Sequence, residues 1–180
     1  DASAAVLREE GGGGERGGWN LGEVLRGGAL VGAVGVVRAV VHSGVVDVDA
    51  ADEGGRTALF WGVVGGSVEV VRALVELGAD ANVRTGVEQS TYLHWGAWYG
   101  RSAVVVYLVE ECGVGVDVKD GSGFPPLFWA VLSDHVGCFE ELLRMGGDVQ
   151  WRDEDGQMYL HRAAFHGAEG VVRYLLGDGR

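Results

Sequence analysis

Residues 52–82 read DEGGRTALFWGVVGGSVEVVRALVELGADAN. Thr57 precedes a short apolar run and has the chemistry of a helix N-cap. Val70, Val71, Leu74 and Val75 follow at i, i+1, i+4, i+5, the spacing of an apolar stripe on a second helix. Gly78 is placed to stop that helix, because glycine tolerates the left-handed conformation at C′. Asp80, Asn82 and Gly86 favour a turn beyond it. Two helices this short cannot bury their own apolar face, so copies of the unit must stack to make a core.

The copies are present. Leu25, Leu59, Leu93, Leu127 and Leu160 follow one another at steps of 34, 34, 34 and 33 residues. Three of them open a common frame, Leu59-Phe60-Trp61, Leu93-His94-Trp95 and Leu127-Phe128-Trp129. Stacking brings equal positions into register, so Trp61, Trp95 and Trp129 are expected in a column. A parallel column three or four residues on contains Trp98, Tyr99 and Phe165. Large contiguous aromatics suit a surface for holding another molecule. They suit equally a layer packed against neighbouring helices.

The repeated pattern resembles the ankyrin repeat. The second unit carries Asp52, Gly54, Thr57, Leu59, Gly66, Leu74 and Gly78-Ala79-Asp80-Ala81-Asn82 in phase. The third carries Thr91, Leu93-His94, Ala97 and Gly100. The fourth carries Asp120, Gly123, Pro125-Pro126-Leu127 and Ala130, and the fifth Asp153, Gly156, Leu160-His161, Ala163-Ala164 and Gly167. The resemblance implies an all-α ankyrin-repeat solenoid of about five helix-turn-helix units, at about 19–51, 52–84, 85–118, 119–151 and 152–180. It also implies that the residue after Leu-His faces a concave groove. That column reads Gly27, Trp61, Trp95, Trp129 and Arg162, and the partner-binding residues are expected to be Trp61, Trp95, Trp98, Tyr99, Trp129 and Arg162.

Ser90-Thr91-Tyr92-Leu93-His94-Trp95 is similar to a string in the ankyrin domain of DHHC-type palmitoyltransferases. In that family the groove recruits extended, proline-containing peptides, and the Trp of the string, Trp95 here, is a principal contact. Two departures stand out. Gly65 occupies the position of the family's peptide-clasping Asn, and Tyr92 replaces the usual Pro. The family's catalytic Asp-His-His-Cys segment and membrane helices are absent from these 180 residues. On that resemblance the chain is expected to be a fragment, ending after Leu175-Leu176 at a repeat boundary. The site would then lie at the cytoplasmic face of a membrane.

Residues 1–18 contain Gly11-Gly12-Gly13-Gly14 and Gly17-Gly18 and are expected to be a flexible lead-in. They lack the Lys-Ser/Thr and preceding strand of a phosphate loop. A net charge of −12 opposes nucleic-acid phosphates. No apolar run reaches the length of a membrane span. Cys112 and Cys138, without a Cys-x-x-Cys, fit buried free thiols in a reducing, cytoplasmic setting.

Chemistry is poorly signalled. His94 and His161 occupy the repeat's Leu-His position, where an imidazole ties neighbouring loops. Ser90 and Thr91 stand near His94, with no acid placed to complete a triad. Asp153, Asp155 and Gly156 fail the calcium-loop spacing and are expected to be solvated turn residues. No catalytic residue, metal or cofactor is expected. The expected function is a non-catalytic module holding a protein, an extended peptide or a loop in its groove. The alternatives are a substrate-recruiting arm of an acyltransferase and a structural subunit of a larger assembly.

Overall fold

The computed structural model describes residues 20–86 and 88–177. The glycine-rich segment 1–18, Trp19 and Val87 lie outside the described residues. The fold is all-α, built from five helix pairs. They are α1 (Leu21–Leu30) with α2 (Val34–His42), α3 (Ala58–Gly65) with α4 (Val68–Glu76), α5 (Tyr92–Trp98) with α6 (Ser102–Glu110), α7 (Pro126–Leu132) with α8 (Val136–Arg144), and α9 (Tyr159–His166) with α10 (Glu169–Leu176). The chain divides into two compact units, one running to Asp80 and one starting at Ala81.

In the first unit α1 packs on α3 and α2 on α4. Asn20 caps α1 by accepting from Glu23 N at 3.2 Å, and Thr57 caps α3 by accepting from Phe60 N at 3.4 Å. Val70, Val71, Ala73 and Leu74 of α4 are buried, as the stripe requires. Gly78 follows α4 with φ +99°, the expected helix stop. Gly65 closes α3 against α1: a Cβ built there would overlap the carbonyl oxygen of Leu30. The absence of a side chain is what lets these two helices approach.

In the second unit α5 packs on α7 and α7 on α9, while α6 packs on α8 and α8 on α10. Leu93 and Leu127 are fully buried, as are Leu25 and Leu59 in the first unit. Leu160, the fifth of the series, is 37% exposed. Pro126 occupies the first turn of α7, where its missing N–H costs nothing. Asp134 of the fourth repeat caps α10 of the fifth, accepting from Gly170 N at 3.1 Å and Val171 N at 2.9 Å.

The finger before α5 is more regular than a bare turn. β1 (Arg84–Thr85) pairs antiparallel with β2 (Ser90–Thr91). Thr85 Oγ1 donates to the Ser90 carbonyl at 3.2 Å, and Arg84 Nη1 bridges the carbonyls of Gln89 at 2.8 Å and Lys119 at 2.9 Å.

Candidate functional site

In the second unit the indoles of Trp95 and Trp98 gather around Trp129. Trp95 and Trp98 of α5 and its C-cap residue Tyr99 are related by i, i+3 and i+4, which puts them on one helical face. The Trp95 and Trp129 rings lie 5.2 Å apart at 76°, and the Trp98 and Trp129 rings 5.8 Å apart at 77°. Tyr99 stacks on Trp95 at 6.3 Å. Burial is graded across the cluster. Trp129 is 9% exposed, while Trp98 and Tyr99 are 39% and 38% exposed. Trp95, Trp98, Trp129 and Phe124 line an open cavity of about 420 Å³, with Asp120 and Glu88 as its charged residues.

One carboxylate device recurs at the start of three fingers. Asp120 Oδ1 accepts from Ser122 N and Phe124 N, both at 2.9 Å. Asp52 Oδ1 accepts from Gly54 N at 2.9 Å and Arg56 N at 3.0 Å. Asp153 Oδ1 accepts from Asp155 N at 3.0 Å and Gln157 N at 2.8 Å. The inner oxygen thus pins the loop each time. The other oxygen takes a side-chain donor that differs by repeat. Asp120 Oδ2 accepts from Trp129 Nε1 at 3.0 Å, Asp52 Oδ2 from Arg56 Nε at 2.9 Å, and Asp153 Oδ2 from Arg162 Nε at 2.6 Å. In the third repeat Thr85 serves instead, accepting from Trp95 Nε1 at 2.8 Å.

These contacts set the local electrostatics. Burial pushes the Asp52 carboxyl up, but the N–H groups of Arg56 and Gly54 and the Arg56 guanidinium outweigh it and hold it below the usual range. At Asp153 burial is again outweighed, here by the Gln157 N–H and the Arg162 guanidinium. The expectation that residues 153–155 are solvated turn groups is therefore corrected for Asp153. Its side chain is 4% exposed, whereas that of Asp155 is 76% exposed. Loop N–H donors and a guanidinium replace water at Asp153.

His94 is fully buried. Its Nδ1 accepts from Thr91 N at 3.1 Å, and its Nε2 lies 3.0 Å from the carbonyl oxygen of Phe124 in the next finger. A carbonyl only accepts, so Nε2 carries the proton and donates. Burial pushes its pKa below the ordinary histidine value. His94 thus ties two fingers, as its repeat position implies. His161 makes the local half of the same contact, accepting from Met158 N at 3.3 Å.

Trp95, Trp98, Tyr99 and Trp129 come together as one cluster in the second unit. Arg162 belongs to the same unit, but its guanidinium is paired with Asp153, with Nη2 at 2.5 Å from Oδ2. Trp61 lies in the first unit, with the Arg56 guanidinium 4.8 Å over its ring. There it lines a cavity of about 330 Å³ with Glu23, Arg26, Gly27, Leu30 and Asp52. Asp120, Phe124 and Glu88 also line the site, beyond the residues expected from the sequence. Asp120 was detectable, since it stands in register with Asp52 and Asp153. Cys138 is buried as expected, but Cys112 is partly exposed, because it follows the end of α6.

Among the described residues no group of His, Cys, Asp and Glu could hold a metal ion. None of their helices is long and apolar enough to cross a membrane.

A family model described as ankyrin repeats (3 copies) matches residues 93–180, and one described as ankyrin repeat matches residues 54–86. The chain belongs to the ankyrin-repeat family. It is similar to protein phosphatase 1 regulatory subunit 27 of Mus musculus, 38% identical over 66 residues, which cover 37% of this chain and 43% of that protein. The Homo sapiens protein of the same name is 40% identical over 58 residues, covering 32% of this chain and 38% of its own. Inversin of Gallus gallus is 40% identical over 60 residues, covering 33% of this chain and 5% of inversin. The matches thus span less than half the length of each of these relatives.

Proposed function

We propose that this chain is a non-catalytic protein-binding module whose working surface in the second unit is the aromatic cluster of Trp95, Trp98, Tyr99 and Trp129. The observation that carries this is the exposure of Trp98, which lines an aromatic cavity, together with that of Tyr99, which stacks on the cavity-lining Trp95. Large half-exposed aromatics beside a concavity have the composition and shape of a binding hot spot. A partner's extended peptide or loop fits it, with Trp95 as central anchor. Trp61 offers a separate contact in its own unit. Arg162 presents to a partner only those N–H groups that Asp153 leaves free.

The relatives support a protein partner, since one is named as a regulatory subunit of a phosphatase. The acyltransferase-arm alternative finds less support. Its peptide clasp has no counterpart at Gly65, where packing against Leu30 excludes a side chain.

The test is selection of ligands from a displayed peptide library, followed by titration against wild type, Trp95→Ala and Trp98→Ala. Loss of a hot-spot anchor costs about 2 kcal/mol or more, a weakening of roughly 30-fold. Circular dichroism and thermal melts establish that each variant is folded. Equal binding of the selected peptides by wild type and both folded variants would remove the cluster from the working surface.

A further inference from the structure

We infer that the fourth-repeat cavity takes a guanidinium, the side chain of an arginine presented by the partner. The inference rests on the binding reading above and names the chemistry of its ligand. The cavity is walled by Trp95, Trp98, Trp129 and Phe124, and its charged residues are Asp120 and Glu88, both carboxylates. No basic side chain lines it. Two basic residues of the same fingers are engaged elsewhere. Arg84 Nη1 donates to two backbone carbonyls, and Lys119 Nζ sits 5.5 Å from the Trp151 ring.

The chain itself supplies the template. In the second repeat Arg56 stands four residues after Asp52, donates to Asp52 Oδ2 at 2.9 Å and lies 4.8 Å over the Trp61 ring. In the fifth repeat Arg162 stands nine residues after Asp153 and donates to Asp153 Oδ2 at 2.6 Å. Both positions are apolar in the fourth repeat, where Phe124 follows Asp120 by four residues and Trp129 follows it by nine. Asp52 and Asp153 therefore meet an internal guanidinium, and Asp120 meets only N–H dipoles.

Proton accounting leads to the same ligand. A carboxylate offers about four lone-pair sites. Asp120 uses two on Oδ1 for the loop and one on Oδ2 for Trp129. One direction on Oδ2 remains, beside the indoles, and Glu88 adds a second acceptor at the rim. A guanidinium is planar, weakly hydrated and rich in donors, so it stacks on an aromatic face and hydrogen-bonds a carboxylate at once. A lysine ammonium is more strongly hydrated and presents no flat face to an indole. The net charge of −12 draws a basic segment towards the chain.

The probes are four short acetylated, amidated peptides that differ only at a central residue: arginine, citrulline, lysine or trimethyl-lysine. Binding is followed by the indole N–H resonances of Trp95 and Trp129 in the intact chain. The arginine peptide is expected to saturate these shifts, and neutral citrulline, nearly the same shape, to bind at least tenfold more weakly. Glu88→Gln and Trp98→Ala should each weaken the arginine peptide severalfold. Glu88→Gln, at an exposed rim group, should leave the melting temperature unchanged, and thermal melts establish that Trp98→Ala remains folded. Equal binding of citrulline and arginine overturns the inference, as does tighter binding of trimethyl-lysine. So does arginine binding that ignores Trp98→Ala. Library ligands that depend on Trp98 but contain no arginine would sink the guanidinium alone. Ligands indifferent to Trp95 and Trp98 would sink the proposed surface with it.

Discussion

The Nε2–H of His94 donates to the carbonyl oxygen of Phe124 at 3.0 Å, joining two fingers through a fully buried imidazole. The same ring accepts from Thr91 N, so both nitrogens are committed to backbone and neither is free for acid–base work. Burial depresses the pKa, so the folded chain favours neutral His94. In the unfolded chain it titrates near 6.5, so only the unfolded state takes up a proton as pH falls below that value. Stability is therefore full above pH 6.5 and declines as pH falls towards the folded-state value. His94→Gln should lose about 1–3 kcal/mol at pH 7.5, because a buried carbonyl and N–H lose good partners. Chemical denaturation at pH 7.5 and 5.5 should show the gap to wild type narrowing at the lower pH.

Asp52 and Asp153 have carboxyls held below the ordinary value of 3.8. Depressed acids stabilise the fold above their unfolded pKa, and that contribution disappears as pH falls through the folded value. Wild type should lose stability steeply below about pH 4. The double variant Asp52→Asn, Asp153→Asn should start less stable at pH 7 and show a shallower acid decline. A parallel acid titration of the two melting temperatures would contradict the carboxylate device.

Gly65→Ala should destabilise, against the usual sign. An alanine normally stabilises a helix over glycine by about 0.5–1 kcal/mol. Here the added methyl meets the Leu30 carbonyl, and a neighbouring backbone cannot rotate aside. A loss of about 1–3 kcal/mol is expected from overpacking. Gly27→Ala serves as the control, since nothing lies within 4 Å of a Cβ at that position.

Asp120→Asn should cost about 1–3 kcal/mol by urea denaturation, although it is nearly isosteric. With its oxygen kept towards the loop, the new amide would point a donor at the indole N–H of Trp129. The double change Asp120→Asn, Trp129→Phe removes that conflict and should cost less than the two single costs added together.

Thiol labelling should separate the two cysteines. Cys138 is buried, which pushes its thiol pKa up, with Ser102 Oγ 3.4 Å from its Sγ. Thiolate is the reactive form. Iodoacetamide should modify Cys112 in the native chain and Cys138 only after denaturant is added.

The repeat, its helix pairs and the roles of Thr57, Gly78 and His94 were legible because each depends on local chemistry recurring in phase. The column itself was legible as a spacing. Which of its members are buried was not, because that depends on packing between elements far apart in sequence. Trp129 is enclosed by α5 residues that precede it by about one repeat, while Trp98 reaches the surface. Asp153 shows the same limit, since a turn carboxylate reads as solvated until the arginine nine residues on is seen to cover it. The hairpin β1–β2 escaped because two-residue strands carry no periodic signal.

Each finger aspartate divides two duties between its two oxygens. One atom holds the loop and is used identically in three repeats, while the other accepts from the finger's own Arg56 in one repeat and from a residue of the adjoining helix, Trp129 or Arg162, in the other two. A single codon change at the donor position can then exchange an indole for a guanidinium without rebuilding the finger. Recognition can drift from repeat to repeat while the architecture stays fixed. An engineer could treat each aspartate as a socket, and program the surface one repeat at a time.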